Sequence, residues 1–167
     1  MKDSGNNKAL LVPWIVTLIG AALMLASVFL PYAAAKDGSG VEAVSQAIGT
    51  DMSKPSMITF TRVYMDNAGQ FVASSQAYVT LVVTMAIALF AVLTLLLAAL
   101  RKPIAAMVFD ILAGLAFLAQ NFDFSARGVV PSGNYSWGIS YYLMFAAIVI
   151  ALTGSIWLLV AKRRIPA

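Results

Sequence analysis

Residues 78–100 read YVTLVVTMAIALFAVLTLLLAAL, a run without a single charge, and Arg101 and Lys102 follow directly. At 1.5 Å per residue this run covers about 35 Å, more than the roughly 30 Å of a bilayer's hydrocarbon core. Inside lipid every backbone group must find its partner within the element, so the run reads as a spanning helix. Working outward, three more stretches qualify. One runs from Ala9 to about Tyr32, interrupted only by Pro13. Another, from Ile104 to about Gln120, is the shortest and alone holds an acidic residue, Asp110. The last runs from about Trp137 to Ala161.

Composition agrees with this reading. The chain has 167 residues, 61% hydrophobic and only 11% charged, with a mean hydropathy of +0.87. A soluble domain is nearer 45–50% apolar and about 25% charged, and disorder needs the opposite balance. The expectation is an all-α integral membrane protein, one membrane domain over residues 1–167 built as a four-transmembrane-helix bundle. Two loops, about 33–77 and 121–136, lie on one side of it.

Basic residues set the orientation. Lys2, Lys8, Arg101, Lys102, Lys162, Arg163 and Arg164 flank the spans on one side, against Asp3 alone. The other side holds Lys36, Lys54, Arg62 and Arg127 against Asp37, Glu42, Asp51, Asp66 and Asp123. The first side therefore carries a net +6 and the second −1. Four spans place both termini together, so both are expected in the cytoplasm, with the protein a multi-pass component of the cell membrane. Tyr32, Tyr78, Trp137, Tyr141 and Tyr142 fit an outer aromatic belt, Trp14 and Trp157 an inner one. Lys2, the first apolar run and Ala33-Ala34-Ala35 imitate a cleaved signal peptide, but the run is too long for one. It reads as a retained first helix.

The pI near 9.5 follows from this charge asymmetry. No surface of the kind that reads nucleic acid is apparent, so the bilayer is the expected partner, with a weak preference for anionic head groups at the basic flanks. The chain has no Cys and no His, which removes disulfides, thiolate metal sites, the commonest general base and the commonest transition-metal ligand. Neither a phosphate-cradling Gly-rich loop nor a nucleophile elbow nor a zincin helix is present. The expectation is a protein that is not an enzyme and has no cofactor and no metal site.

The first outer loop carries local signals. Ser39-Gly-Val-Glu42 has capping-box spacing, Val41, Val44 and Ile48 recur at helical spacing, and Gly49 stands where a C-cap belongs. A short helix over about 40–48 is predicted. Residues 57–64, rich in β-branched and aromatic side chains, precede Asp66-Asn67-Ala68-Gly69, which is turn chemistry. They predict a β-hairpin over about 57–73, with a helix at 57–66 as the alternative. Helix and hairpin would form a small α+β cap on the bundle. Arg62, Tyr64, Asp123 and Arg127 are its candidate interaction residues; the last two are expected to pair with each other or with residues of the first loop, an exposed pair of this kind being of small worth. Asn134-Tyr-Ser136 matches a glycosylation acceptor, but it abuts the last span and reads as a chance match.

Asp110 is the sharpest feature inside the membrane, where a carboxylate is costly. It lies about 10 Å from the basic end, counted from Pro103. Thr17, Thr94, Thr153 and Ser155 fall at similar depth on the other spans. Either these hydroxyls bond a carboxyl that glues the helices together, or the layer is a proton or cation relay. Small residues at four-residue spacing, Ala22 and Ala26, then Ala147, Ala151 and Ser155, are expected to pack helices within one chain, or to form a seam with a second copy or a partner.

The layout of four spans with a large first outer loop and a smaller second one resembles that of tetraspan proteins such as claudins. The hallmark cysteine pair of those proteins is missing, so the resemblance implies the architecture only. Two functional expectations follow from the residues. The first is an accessory or scaffolding subunit that binds another membrane protein through its outer loops or helices. The second is a homo-oligomeric channel or proton-coupled transporter using Asp110.

Overall fold

The computed structural model describes residues 3–164; Lys2, counted above at the basic end, lies outside them. The elements run α1 (Asp3–Ser27), β1 (Ala33–Ala35), α2 (Val41–Ile48), α3 (Met57–Asp66), α4 (Ser74–Ala99), α5 (Pro103–Ala126), β2 (Tyr135–Trp137) and α6 (Ile139–Arg164). Four helices are long and apolar enough to cross a membrane: Ala9–Ser27 within α1, then α4, α5 and α6. The chain is a multi-pass membrane protein with four candidate spans. Each long helix packs on the next in the chain, and α6 returns to α1, so the bundle closes as a ring.

Glycine decides how tightly the ring closes. A Cβ at Gly20 of α1 would stand 2.4 Å from the Ala151 backbone nitrogen and 2.9 Å from the Ala147 carbonyl oxygen, both on α6. A Cβ at Gly154 of α6 would stand 2.6 Å from the Thr17 nitrogen. The two helices thus meet backbone to backbone. In lipid that is the effective way to gain contact, because apolar side chains gain nothing by leaving other hydrocarbon. Ala147, Ala151 and Ser155 are fully buried in this seam, whereas Ala22 and Ala26 face outward. At the basic end Trp14 Nε1 donates to the Ala98 carbonyl at 2.9 Å, tying α1 to α4.

The cap differs from the sequence reading in three places. The hairpin expected over 57–73 is absent, and residues 57–66 are helix α3. The Ser56 hydroxyl accepts from the Thr59 N–H and starts that helix, and Met57, Phe60, Thr61 and Val63 are buried along one face. Periodic burial against the bundle overrides the strand preference of the β-branched residues. Strand pairing exists, but between the loops: β1 and β2 pair antiparallel, Ala33 opposite Trp137 and Ala35 opposite Tyr135. Gly138 allows this, since a Cβ there would come within 2.3 Å of the Pro31 carbonyl oxygen.

The capping box also fails to form. Gly40, not Ser39, caps α2 in the left-handed region with φ 70, so no side-chain cap bond is made. Gly49 does close that helix in the left-handed conformation, φ 65. Finally, α5 runs on to Ala126, beyond the expected end of its span at Gln120, with Asn121 and Phe124 packed inside the protein.

The cap core is aromatic. Tyr32, fully buried, meets Phe60, Phe117, Phe124 and Trp137 edge-on, with ring centroids 5.5–6.3 Å away. Its hydroxyl donates to Asn121 Oδ1 at 2.5 Å. One tyrosine thereby joins the end of α1, helix α3, the outer part of α5 and β2.

Candidate functional site

The depth of Asp110 follows from helix register. Thr84 Oγ1 donates to Gln120 Oε1 at 3.5 Å across the antiparallel α4–α5 pair. Ten residues along each helix from that contact lie Thr94 and Asp110, which therefore share a level about 15 Å nearer the basic end. Thr17 reaches the same level through the Trp14–Ala98 bond and brings Gly154 and Ser155 with it. Asp110, Thr17, Thr94 and Ser155 are all completely buried. Thr153 is exposed on the outer face of α6. Counting residues gives depth but not direction, and two positions on a helix differ by about 200°.

The expected bonds between these residues are not made. Thr17 Oγ1 donates to the Pro13 carbonyl at 2.9 Å, and Thr94 Oγ1 to the Phe90 carbonyl at 2.8 Å, each within its own helix. Both carboxyl oxygens of Asp110, and the Ser155 hydroxyl, have no hydrogen-bond partner among the described residues. The layer is a set of hard oxygen atoms with spare capacity, enclosed by the four helices.

A second polar tier lies toward the cap. Thr80 and Thr84 on α4 face Arg127 and Gln120 on α5, and Asn121 takes the Tyr32 hydroxyl. The four-residue spacing of Thr80 and Thr84 was the available signal. Between the tiers stand Met24, Ile87, Ala91, Ala113 and Phe117, all fully buried and part of one continuous apolar core. The two tiers are not joined by polar side chains.

Of the outer-loop candidates, three converge and one stands apart. Arg127 pairs with Asp123, donates to Thr80 Oγ1 at 3.1 Å, and lies over the Tyr64 and Phe124 rings at 5.4 and 5.0 Å. Its side chain is 14% exposed and that of Asp123 31%, so this is not the exposed pair expected from sequence. The guanidinium pins α3 to α4 and α5 through charge-assisted bonds and cation–π contact. Burial pushes the Tyr64 hydroxyl above its ordinary range, with the Arg127 charge acting the other way. Arg62 reaches only Asp66, at 3.7 Å on the exposed side of α3.

The cap also carries an open apolar groove of about 520 Å³ between α2, the end of α3 and the second loop. Val41, Ile48, Val129 and Tyr135 line it, and two exposed side chains, Val44 and Phe71, stand at its edge. Tyr135 also fixes the floor, its hydroxyl donating to the Met52 carbonyl at 2.9 Å. Compared with models of protein families, with curated proteins and with solved structures, the chain matches none.

Proposed function

We propose that this protein is a non-enzymatic accessory or scaffolding subunit of the cell membrane, with both termini in the cytoplasm, that contacts another membrane protein through its outer cap. The observation that carries the reading is the cap itself. Both outer loops are folded onto one another by β1–β2, Tyr32 and Arg127, and together they hold an apolar groove open beside Phe71. Aromatic side chains exposed beside an apolar hollow are what protein contacts use as anchors. The test is site-specific photo-crosslinking in native membranes, with the crosslinker at Phe71 and, as a control, at Arg62, exposed on α3 and not part of the groove lining. A single second protein captured from Phe71 only, and recovered in stoichiometric amount without crosslinking, is the expected result. A chain that is monomeric by native mass spectrometry and crosslinks equally from both positions overturns the reading.

One observation favours a second reading. A fully buried carboxyl with no partner, level with three buried hydroxyls, is the chemistry of a proton or cation relay. A homo-oligomeric channel or proton-coupled transporter would use it, although the apolar core between the two tiers opposes conduction through one bundle. Here Asp110→Asn should leave the protein folded and abolish flux into liposomes. Retained flux in the stable variant sinks the relay. Without a relay role Asp110 should tolerate Asn, and Asp110→Leu, which loses no hydrogen bond, should leave stability unchanged or raise it.

A further inference from the structure

The end of the bundle opposite the cap carries a surface that the proposed function leaves unused. The α4–α5 turn and the last turn of α6 meet there, Lys162 Nζ donating to the Arg101 carbonyl at 2.5 Å. This contact brings the α4–α5 turn, which carries Arg101 and Lys102, against the end of α6, which carries Lys162, Arg163 and Arg164, at one corner, and all five are exposed. The ion pairs found among the described residues, Arg62–Asp66 and Arg127–Asp123, both lie at the cap and use none of these cations. Five like charges held together repel, so the corner calls for an anion.

Local geometry goes further than topology requires. Charge asymmetry across a membrane needs basic residues near the span ends, but it does not need them to converge. Arg101 adopts the left-handed conformation, φ 55, which side chains other than glycine avoid. Its guanidinium lies 4.7 Å from the centre of the Trp14 ring, and Trp14 is itself fixed by the bond to Ala98. Arg101 is thus held in place rather than left to wander. Apolar side chains border the cations toward the membrane interior on both elements: Leu100 and Ile104 at the α4–α5 turn, and Trp157 and Val160 on α6, are exposed. An anion that fits has a phosphate at the helix ends and hydrocarbon running down the helices.

We propose that this corner is a binding site for an anionic phospholipid. The phosphate lies among Arg101, Lys102 and the cations ending α6, and the acyl chains lie along the apolar flank. Phosphatidylglycerol titrated into the full-length protein in neutral detergent, read by thermal melting, tests this against phosphatidylcholine and inorganic phosphate. Each cation near a lipid head group is worth about fivefold in affinity, so Lys102→Gln/Arg163→Gln should weaken phosphatidylglycerol about 30-fold. Lys54→Gln/Arg62→Gln removes the same net charge at the cap and should change it less than about twofold. Neither pair touches a buried contact, and unchanged melting without lipid checks that both variants are folded. The expected pattern is selective binding of phosphatidylglycerol that only the first pair weakens. Equal weakening by both pairs, equal response to phosphatidylcholine, or equal protection by inorganic phosphate overturns the site.

Discussion

Alanine placed at two different helical glycines should move stability in opposite directions. At Gly20 the added methyl would stand 2.4 and 2.8 Å from the nitrogen and Cα of Ala151 and 2.9 Å from the Ala147 carbonyl oxygen. All three are backbone atoms of α6, so no rotamer change makes room and the helices must part. Overpacking costs about 1–3 kcal/mol where side chains can yield, and more where they cannot. Against this, alanine gains up to about 1 kcal/mol over glycine in a helix interior. Gly20→Ala should therefore lose about 2 kcal/mol or more, a fall of about 30-fold or more in the ratio of folded to unfolded protein. At Gly114 of α5 the same methyl meets only the tip of Ile148, at 3.5 Å, an ordinary contact. Gly114→Ala should be neutral or raise stability by up to about 1 kcal/mol. Unfolding by sodium dodecyl sulfate in mixed micelles, followed by tryptophan fluorescence, ranks the two against the parent. Equal midpoints for the two variants, or a neutral Gly20→Ala, would refute the backbone-to-backbone packing of α1 on α6.

Removing Arg127 leaves Asp123 half-buried without its partner and frees the Tyr64 ring, so Arg127→Ala should cost about 1–3 kcal/mol. Hydrogen exchange should report faster opening of α3, whereas Arg62→Ala, which breaks an exposed pair, should stay within about 0.5 kcal/mol. Alkali should loosen the cap next. Burial first, then the neighbouring Tyr64 and Asp51, push the Tyr135 hydroxyl up to about 12. Its folded value thus exceeds its unfolded one of about 10, so its contribution is complete below about pH 10 and is lost as pH rises through 12. Phenolate absorbance should show this late titration step and lose it in Tyr135→Phe; an unchanged titration curve in that variant contradicts the assignment.

The bundle was legible because span length and apolarity are properties of a window, insensitive to which way any one residue points. Direction was the harder quantity. Thr153 and Ser155 stand at nearly one depth, yet one faces outward and the other inward, and only the contact of Gly154 with Thr17 decides which. In the cap, the strand preference of Ile58, Thr59, Thr61 and Val63 hides in the sequence the Ser56 cap and the spacing of Met57 and Phe60 that the helix uses. The strand pair was hidden for another reason. Ala33-Ala34-Ala35 has no strand preference of its own and pairs only because Gly138 brings the second loop against it. Arg127 could be matched to Asp123 by spacing, but its contacts with Tyr64 and Thr80 depend on helices meeting from distant parts of the chain.

The closing of the ring by α1 and α6 has a consequence for biosynthesis. The Ser140 hydroxyl meets the Ser27 carbonyl oxygen from 113 residues away in the chain, and β1 waits equally long for β2. A growing chain on the ribosome therefore releases α1 with its glycine seam uncovered, and the loop between α1 and α4 is made before the strand that closes it exists. Folding of the cap is thereby coupled to insertion of the last helix. A chain cut before α6 would carry an open glycine seam on α1 and an unpaired strand at β1.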